Sequence, residues 1–195
     1  MRIGFDLGGT KMLAAVIDSD QRICSRAKNR TKGSDNDEVF AGIVTTIREA
    51  IDEAGLSPRK IEGIGIAVPG PIDAENGVVL HTPNVALNDF PLGSRLREEV
   101  GCPVFLENDV NAGLWGEYVT GAARGFRQIV GIFPGTGIGG GLILDGKLYR
   151  GKAGRAGEIG HITVQSDGRR CGCGNHGCLE TVASKTAIAR DLVLL

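Results

Sequence analysis

Three of the five cysteines lie within the ten-residue stretch CGCGNHGCLE, which suits a disulfide, a redox site or a metal site. Preceded by His161, the series Cys171, Cys173 and Cys178 has the spacing H-x9-C-x-C-x4-C. One imidazole and three thiolates form an ordinary closed, tetrahedral zinc set. His176 competes for the fourth position, and spacing alone does not exclude it. Because no redox C-x-x-C motif is present, the pattern favours a structural metal site.

A first glycine-rich turn has the composition of a phosphate-binding loop. In DLGGTK, the backbone N–H groups of Gly8, Gly9 and Thr10 could surround phosphate oxygens, while Asp6 holds Mg²⁺ through water. An ordinary glycine hairpin explains the same hexapeptide equally well. It is not a P-loop, because that motif requires Gly-Lys-Ser/Thr at the start of a helix, and here Thr precedes Lys11 and a strand follows.

A second glycine-rich turn, GTGIGGG over residues 135–141, contains the pattern G-x-G-x-x-G. A dinucleotide fold would need a helix to begin inside that loop, so that its N-terminus meets the pyrophosphate. The following GLILDGKLY instead alternates like a hairpin with an Asp145-Gly146 turn. We therefore interpret both turns as places where backbone approaches the phosphates of a nucleotide, one turn in each of two lobes.

The segment ENDVN supplies a candidate general base. It places Asn108 and Asp109 at the end of the apolar strand PVFLEN and at the start of a helix over 109–119. Asn and Asp are also favoured helix N-caps, and a cap alone would explain them. The functional interpretation is a carboxylate at the carboxyl end of a strand, where ligand clefts of α/β proteins form.

The layout along the chain is mixed α/β. Strands are predicted at RIGFDL, MLAAVIDSD, QRICSRAKN, IEGIGIAVPG and PVFLEN, with helices from Glu38 to Gly55 and over 93–100, and a loop to about Pro91. From residue 128 the plan of strand, glycine loop and strand repeats. We expect one lobe over 1–118 and the start of a second over 119–195, whose last segment, 179–195, forms one helix.

Composition excludes several classes of protein. The 195 residues carry a net charge of −1, which gives no broad basic surface for nucleic acid. An acid at position 6 interrupts any signal peptide, and the longest uncharged run is too short and glycine-rich to span a membrane. A cytoplasmic protein without nucleic-acid or membrane partners is expected.

The motifs together resemble the ROK family, which comprises repressors, open reading frames and sugar kinases, and in particular its bacterial glucokinase-like members. DLGGTK, VPGPID, TPN, ENDVNA, GTGIGGGLI, GEIGH and CGCGNHGCLE occur in the family's order and span nearly all of the chain. The resemblance implies an actin-like, ribonuclease-H-like two-lobed sugar kinase fold. Because family members are distinctly longer, the second lobe is expected to be incomplete.

The resemblance also implies a role for each matching residue. Asp109 would be the base that takes the proton from the 6-hydroxyl of a hexose. The residues expected to contact sugar hydroxyls are Gly70, Asn84, Asn108, Asp109, Glu158, His161 and Glu180. Those expected to hold the phosphates and Mg²⁺ of ATP are Asp6, Gly8, Gly9, Thr10, Lys11, Gly135, Thr136, Gly137 and Gly139. The structural zinc ligands would be His161, Cys171, Cys173 and Cys178.

The implied reaction is ATP-dependent phosphorylation of a hexose, with glucose to glucose 6-phosphate as the first choice. N-acetylmannosamine, N-acetylglucosamine, fructose, mannose and allose remain open, as does a non-catalytic, zinc-stabilised sugar-binding module. The 195-residue chain alone is expected to bind ATP poorly and to turn over slowly or not at all. A DNA-binding repressor is not expected, because DLGGTK begins so close to Met1. The resemblance admits a homodimer or a homotetramer.

Overall fold

The computed structural model describes residues 1–193 and divides into two units, Met1–Asp109 and Val110–Leu195. Its strands are β1 (Arg2–Leu7), β2 (Lys11–Ile17), β3 (Ile23–Arg30), β4 (Gly63–Val68), β5 (Ile72–Asp73), β6 (Val78–Val79), β7 (Val104–Asn108), β8 (Ile129–Pro134), β9 (Ile138–Leu144) and β10 (Lys147–Leu148). Its α-helices are α1 (Asn36–Glu53), α2 (Leu92–Val100), α3 (Asp109–Val119), α4 (Glu180–Ala183) and α5 (Lys185–Val193). Short 3₁₀ helices cover Pro58–Lys60, Lys152–Gly154 and Ile159–His161.

The first unit is built on a five-stranded sheet in the order β3-β2-β1-β4-β7. β1, β4 and β7 are mutually parallel, whereas β2 pairs antiparallel with both β1 and β3. Alternate residues of β1, namely Ile3, Phe5 and Leu7, are buried in one hydrophobic core with the apolar face of α1. This core fixes the three parallel strands, so their carboxyl ends meet at one edge of the sheet.

The first helix begins two residues before the predicted start at Glu38 and ends, as predicted, just before Gly55. The Asp35 carboxylate accepts the Glu38 N–H at 2.9 Å, and the Glu38 carboxylate accepts the Ser34 N–H at 2.9 Å. The first bond satisfies an N–H group that lacks a partner inside the helix, and the second ties the residue before the N-cap to the first turn. Gly55 follows the last turn, as predicted for a helix stop. The expected helix is therefore confirmed, with bounds of Asn36–Glu53.

The second unit contains a three-stranded antiparallel sheet in the order β10-β9-β8. The predicted hairpin turn is confirmed, since Asp145 and Gly146 both have positive φ, 53° and 76°. α3 packs on this sheet, with Leu114 against the glycines at 131 and 141. α3 therefore groups with the second unit from Val110 onward, whereas the boundary expected from the sequence lies after residue 118.

Three sequence predictions need correction. The single helix over 179–195 is wrong, because Ser184 is extended (ψ 160°) and its hydroxyl accepts the Ala187 N–H at 3.1 Å, which starts α5. Residues 194–195 lie outside the described part of the chain. The region expected to be a loop up to Pro91 contains the β5–β6 hairpin. β9 begins at Ile138, so the glycines at 139–141 lie in a strand.

Candidate active site

The carboxyl ends of β1, β4 and β7 carry most of the predicted site residues of the first unit. Asp6 pairs in register with Ala67, and Val68 pairs with Asn108. Because neighbouring strands lie about 4.8 Å apart, the backbone of β1 is about 10 Å from that of β7 along this edge. Asp6 and Asp109 are exposed there, and Asn108 is half-buried. Ligand clefts of α/β sheets form at such an edge.

The VPG turn after β4 is linked to the end of β7. The Asn108 side-chain amide donates to the Gly70 carbonyl at 3.2 Å. Gly70 has φ of 86°, and a Cβ added to it would lie 2.5 Å from the His81 carbonyl oxygen. Only glycine combines that backbone conformation with such a close approach. Gly70 and Asn108, both predicted to contact sugar, are thus brought together in one unit.

The TPN segment lies against the DLGGTK turn. A Cβ added to Gly9 would be 2.8 Å from the Asn84 Cβ, so the two backbones approach closely. Buried Thr82 holds the segment in shape, because its N–H donates to the Asn88 side chain at 3.0 Å and its hydroxyl lies 3.0 Å from the Leu87 carbonyl. The segment therefore presents Asn84 beside the predicted phosphate turn.

The DLGGTK turn is a tight hairpin whose polar groups are partly used. The Gly8 N–H donates to the Lys11 carbonyl at 3.0 Å. Thr31 fixes the turn from outside: its hydroxyl donates to the Gly8 carbonyl at 2.6 Å and its N–H to the Thr10 carbonyl at 3.0 Å. Within residues 1–193, the N–H groups of Gly9 and Thr10 have no hydrogen-bond partner, so they are the donors this turn can offer to an anion.

The second glycine turn is equally compact. The Gly135 N–H donates to the Gly137 carbonyl at 2.8 Å, and Thr136 is exposed at the tip. Gly139 lies in β9 rather than in the turn, and a Cβ there would be 2.4 Å from the Val110 side chain. Packing against α3 therefore explains Gly139 without a ligand, while its predicted phosphate contact stays a prediction.

The GEIGH segment packs on β9. A Cβ added to Gly160 would lie 2.1 Å from the Ile138 carbonyl oxygen, so the segment touches the strand backbone. This contact positions His161, whose Nε2 is 3.8 Å from the Glu158 carboxylate. The other ring nitrogen, Nδ1, is 3.5 Å from Cys171 Sγ. The Nδ1 edge of the imidazole thus faces the cysteines, and the Nε2 edge faces the exposed carboxylate of Glu158.

The cysteine motif converges as a four-residue cluster. Ligand atoms of His161, Cys171, Cys173 and Cys178 all lie within 4.8 Å of one another. Tetrahedral zinc with ordinary bond lengths would separate two sulfurs by about 3.8 Å and a sulfur from a nitrogen by about 3.5 Å. The Cys173–Cys178 sulfur distance is 3.8 Å and the His161–Cys171 distance is 3.5 Å. The donor set and its spacing fit zinc, and His176 is not part of this set.

Burial changes the proton affinity of these thiols. Loss of solvation, reinforced by the neighbouring thiols, raises the pKa of Cys178 to about 12, and burial also raises the pKa of Cys171. A hydrogen bond from the Asn175 backbone lowers the pKa of Cys173. Because zinc binds thiolates, a metal entering this cluster must displace protons from the two buried sulfurs.

Comparison with known proteins decides the family. The family model described as "ROK family" matches residues 2–193. The chain belongs to the ROK family. The glucokinase of Streptomyces coelicolor is 40% identical over 190 residues, which cover 97% of this chain and 58% of that protein. The xylose repressor of Bacillus subtilis is 39% identical over 187 residues, 96% of this chain and 45% of the repressor.

Two solved structures place the fold of this ROK protein. The ROK hexokinase of Thermus thermophilus has a TM-score of 0.85 at 40% identity, covering 98% of this chain and 63% of the other. The ROK glucokinase of Streptomyces griseus, solved with glucose and AMPPNP, has a TM-score of 0.82 at 41% identity, covering 97% and 59%. The actin-like α/β fold class is confirmed, and the chain spans less than two thirds of these relatives. None of the helices within residues 1–193 is long and apolar enough to cross a bilayer.

Sequence reasoning on the ROK motifs missed the residues that shape them. Thr31 and Asn88 hold the DLGGTK and TPN segments, yet neither stands in a conspicuous motif of its own. Thr82 is the first residue of TPN, so the motif pointed to it, but its role in holding the segment was not predicted. The contacts of Thr31 depend on β-sheet pairing far along the chain, which spacing does not reveal.

Proposed function

We propose that this chain carries the sugar-binding and phosphate-binding residues of an ATP-dependent hexose kinase, with glucose as the first substrate to test. The observation that carries the proposal is the alignment of Asp6, Gly70, Asn108 and Asp109 at one edge of the parallel strands. A glucokinase relative at 40% identity and a glucokinase solved with glucose and AMPPNP support it. Glucose, ATP and Mg²⁺ are thus the proposed ligands.

Asp109 is the proposed general base. It is exposed at the first position of α3, directly after Asn108, so its carboxylate stands where the sheet edge meets solvent. A carboxylate there can accept the proton of a sugar hydroxyl as that oxygen attacks phosphorus. Such a base contributes about 10²–10⁴-fold to a rate. Asn108, tethered to the Gly70 carbonyl, would fix the same hydroxyl region of the sugar.

ATP would supply the transferred phosphoryl group, and the chain's part in that transfer is positioning and charge stabilisation. The N–H groups of Gly9 and Thr10 can donate to phosphate oxygens, and Asp6 can hold Mg²⁺ through water. The turn with Thr136 at its tip offers a second set of backbone donors. Zinc, held by the cysteine cluster, would be structural, fixing His161 so that its Nε2 faces a sugar hydroxyl.

The test is calorimetric titration of the zinc-loaded chain with glucose and the alternative hexoses, joined to an assay of ADP release. Asp109→Asn is compared with Asp52→Asn, an exposed acid of α1 in the same unit. We expect saturable binding of one hexose by all three proteins, and any ADP release to fall only in Asp109→Asn. Absence of binding for every hexose would refute the proposal.

A second candidate is a sugar-binding module without phosphorylation, which the match to a xylose repressor favours. It needs the sugar-binding residues but no base. The ADP assay separates the two candidates in a chain extended to the length of its relatives, because a module would bind a sugar equally well with Asp109→Asn and release no ADP at any sugar concentration. Xylose therefore belongs in the panel of sugars.

A further inference from the structure

The acidic residue that ends the cysteine motif makes contacts in two directions. One oxygen of the Glu180 carboxylate accepts the Ile138 N–H at 3.0 Å, at the point where β9 leaves the second glycine turn. The other oxygen lies 3.7 Å from Cys171 Sγ, in the metal cluster. A single half-buried side chain therefore touches both a zinc ligand and the turn with Thr136 at its tip.

The carboxylate also explains a glycine of that turn. A Cβ added to Gly137 would lie 2.1 Å from the Glu180 carboxylate oxygen, which is far inside any allowed contact. Gly137 lacks a side chain because Glu180 occupies the space. A phosphate ligand is not needed to account for this glycine, so the contact is built into the protein itself.

The segment after the cysteines also forms a hydrogen bond to the first residue of the turn, Gly135. The Lys185 N–H, at the start of α5, donates to the Gly135 carbonyl at 2.9 Å. α4 connects Glu180 to that point, and its start is tied to the cluster because the Thr181 N–H and hydroxyl both donate to the Cys178 carbonyl, at 2.9 and 2.7 Å. Both ends of the turn are thus bonded to the segment 180–185, which follows Cys178 in the sequence.

We propose that Glu180 is a positioning residue that transmits order from the zinc cluster to the turn over residues 135–137. Zinc fixes Cys171 and Cys178, these fix the start of α4, and the Glu180 carboxylate then holds the Ile138 amide. Metal occupancy thereby controls how well the turn presents its backbone donors. The consequence of this metal dependence for catalysis rests on the proposed function, in which the backbone of the turn binds phosphate.

The test measures hydrogen exchange of the Ile138 amide by NMR in the ¹⁵N-labelled chain, with zinc removed and then restored. A hydrogen bond to a charged group protects an amide by about tenfold or more. We expect zinc to slow this exchange at least about tenfold in the unmodified chain. Glu158→Ala serves as the matched control, because Glu158 also adjoins a zinc ligand but, within residues 1–193, makes no hydrogen bond to the turn. In Glu158→Ala, zinc should still slow the hydrogen exchange of the Ile138 amide.

Glu180→Ala should bind one zinc per chain and yet show no zinc-dependent protection of Ile138. Gly137→Ala provides the second variant: it keeps Glu180 but displaces its carboxylate, and should behave in the same way. Zinc-dependent protection that persists in either variant, or that is absent from the unmodified chain, overturns the proposal. Sugar binding measured on the unmodified chain keeps this result separate from the proposed function, which fails only if that chain binds no hexose.

Discussion

Replacement of Gly70 by alanine should destabilise the first unit through two separable effects. Alanine at a positive φ such as 86° costs about 1–2 kcal/mol. The new Cβ would also lie 2.5 Å from the His81 carbonyl oxygen, and relieving such overpacking costs about 1–3 kcal/mol more. The sum is about 2–5 kcal/mol, which for a chain of this size lowers the Tm by about 4–20 °C.

Two matched glycines separate the effects. Gly101, after α2, has φ of 71°, but a Cβ added there would have no atom of residues 1–193 within 4 Å, so Gly101→Ala should cost only the conformational part, about 1–2 kcal/mol. Gly65, in β4, has neither problem, and Gly65→Ala should be neutral or stabilise by about 0.4–1 kcal/mol. Urea denaturation followed by circular dichroism gives all three values. A Gly70→Ala midpoint equal to that of Gly101→Ala would refute the steric part of the reasoning.

Three further predictions concern the zinc cluster, the base and an ion pair. Cys178→Ser should lower zinc affinity more than about 100-fold, whereas Cys24→Ser, at an exposed cysteine outside the cluster, should retain full zinc binding by a metal-indicator titration. Asp109→Asn should reduce ADP release at least about 10²-fold with hexose affinity nearly unchanged, and an equal loss of both would argue for a binding role instead. Hydrogen bonds from Arg169 and Arg190 lower the pKa of Asp191, so its contribution to stability is present above the ordinary carboxyl pKa and is lost as pH falls through the lowered value. Urea midpoints of Asp191→Asn and the unmodified chain should therefore differ near neutral pH and converge in acid; parallel curves at all pH values would contradict this.

Local patterns were sufficient to predict most of the elements. The apolar spacing from Val39 to Ile51 and the stop at Gly55 gave α1, because a core-facing helix must repeat its apolar face every turn. The Asp145-Gly146 turn was equally readable, since few dipeptides suit two successive positive φ values. Signals of this kind involve residues that are close in the sequence, so they can be recognised without knowledge of the tertiary structure.

What the sequence could not predict depends on contacts between distant segments. The residues after the cysteines look like one helix, yet Ser184 interrupts it in an extended conformation and caps a new one. The G-x-G-x-x-G run looks like a single flexible loop, yet Ile138 already begins β9, and Gly139 is needed for packing against Val110. Contacts with distant residues accompany both features: the Lys185 N–H at the start of α5 donates to the Gly135 carbonyl at 2.9 Å, and Gly139 packs against Val110.

In the first unit, the glycines of one motif make room for residues of another. Gly9 of DLGGTK leaves space for Asn84 of TPN, and Gly70 of VPG leaves space for the His81 carbonyl just before TPN. Asn108 of ENDVN then binds the Gly70 carbonyl. Four motifs that are separated in the sequence therefore depend on one another through steric contacts and a hydrogen bond, before any ligand is considered.

The second unit follows the same logic, which explains why an ordered set of weak motifs is so specific. Gly137 leaves space for Glu180 of the cysteine motif. Gly140 lies against Gly157 of GEIGH, because a Cβ added to Gly140 would be 2.2 Å from the Gly157 carbonyl oxygen. A glycine in isolation indicates only a turn, but a glycine that must lack a Cβ because another motif occupies the space makes the two motifs inseparable. Substitution of such a glycine should therefore disturb the partner motif first, and a change at Gly137 should be felt at Glu180 and the zinc cluster rather than only at a phosphate.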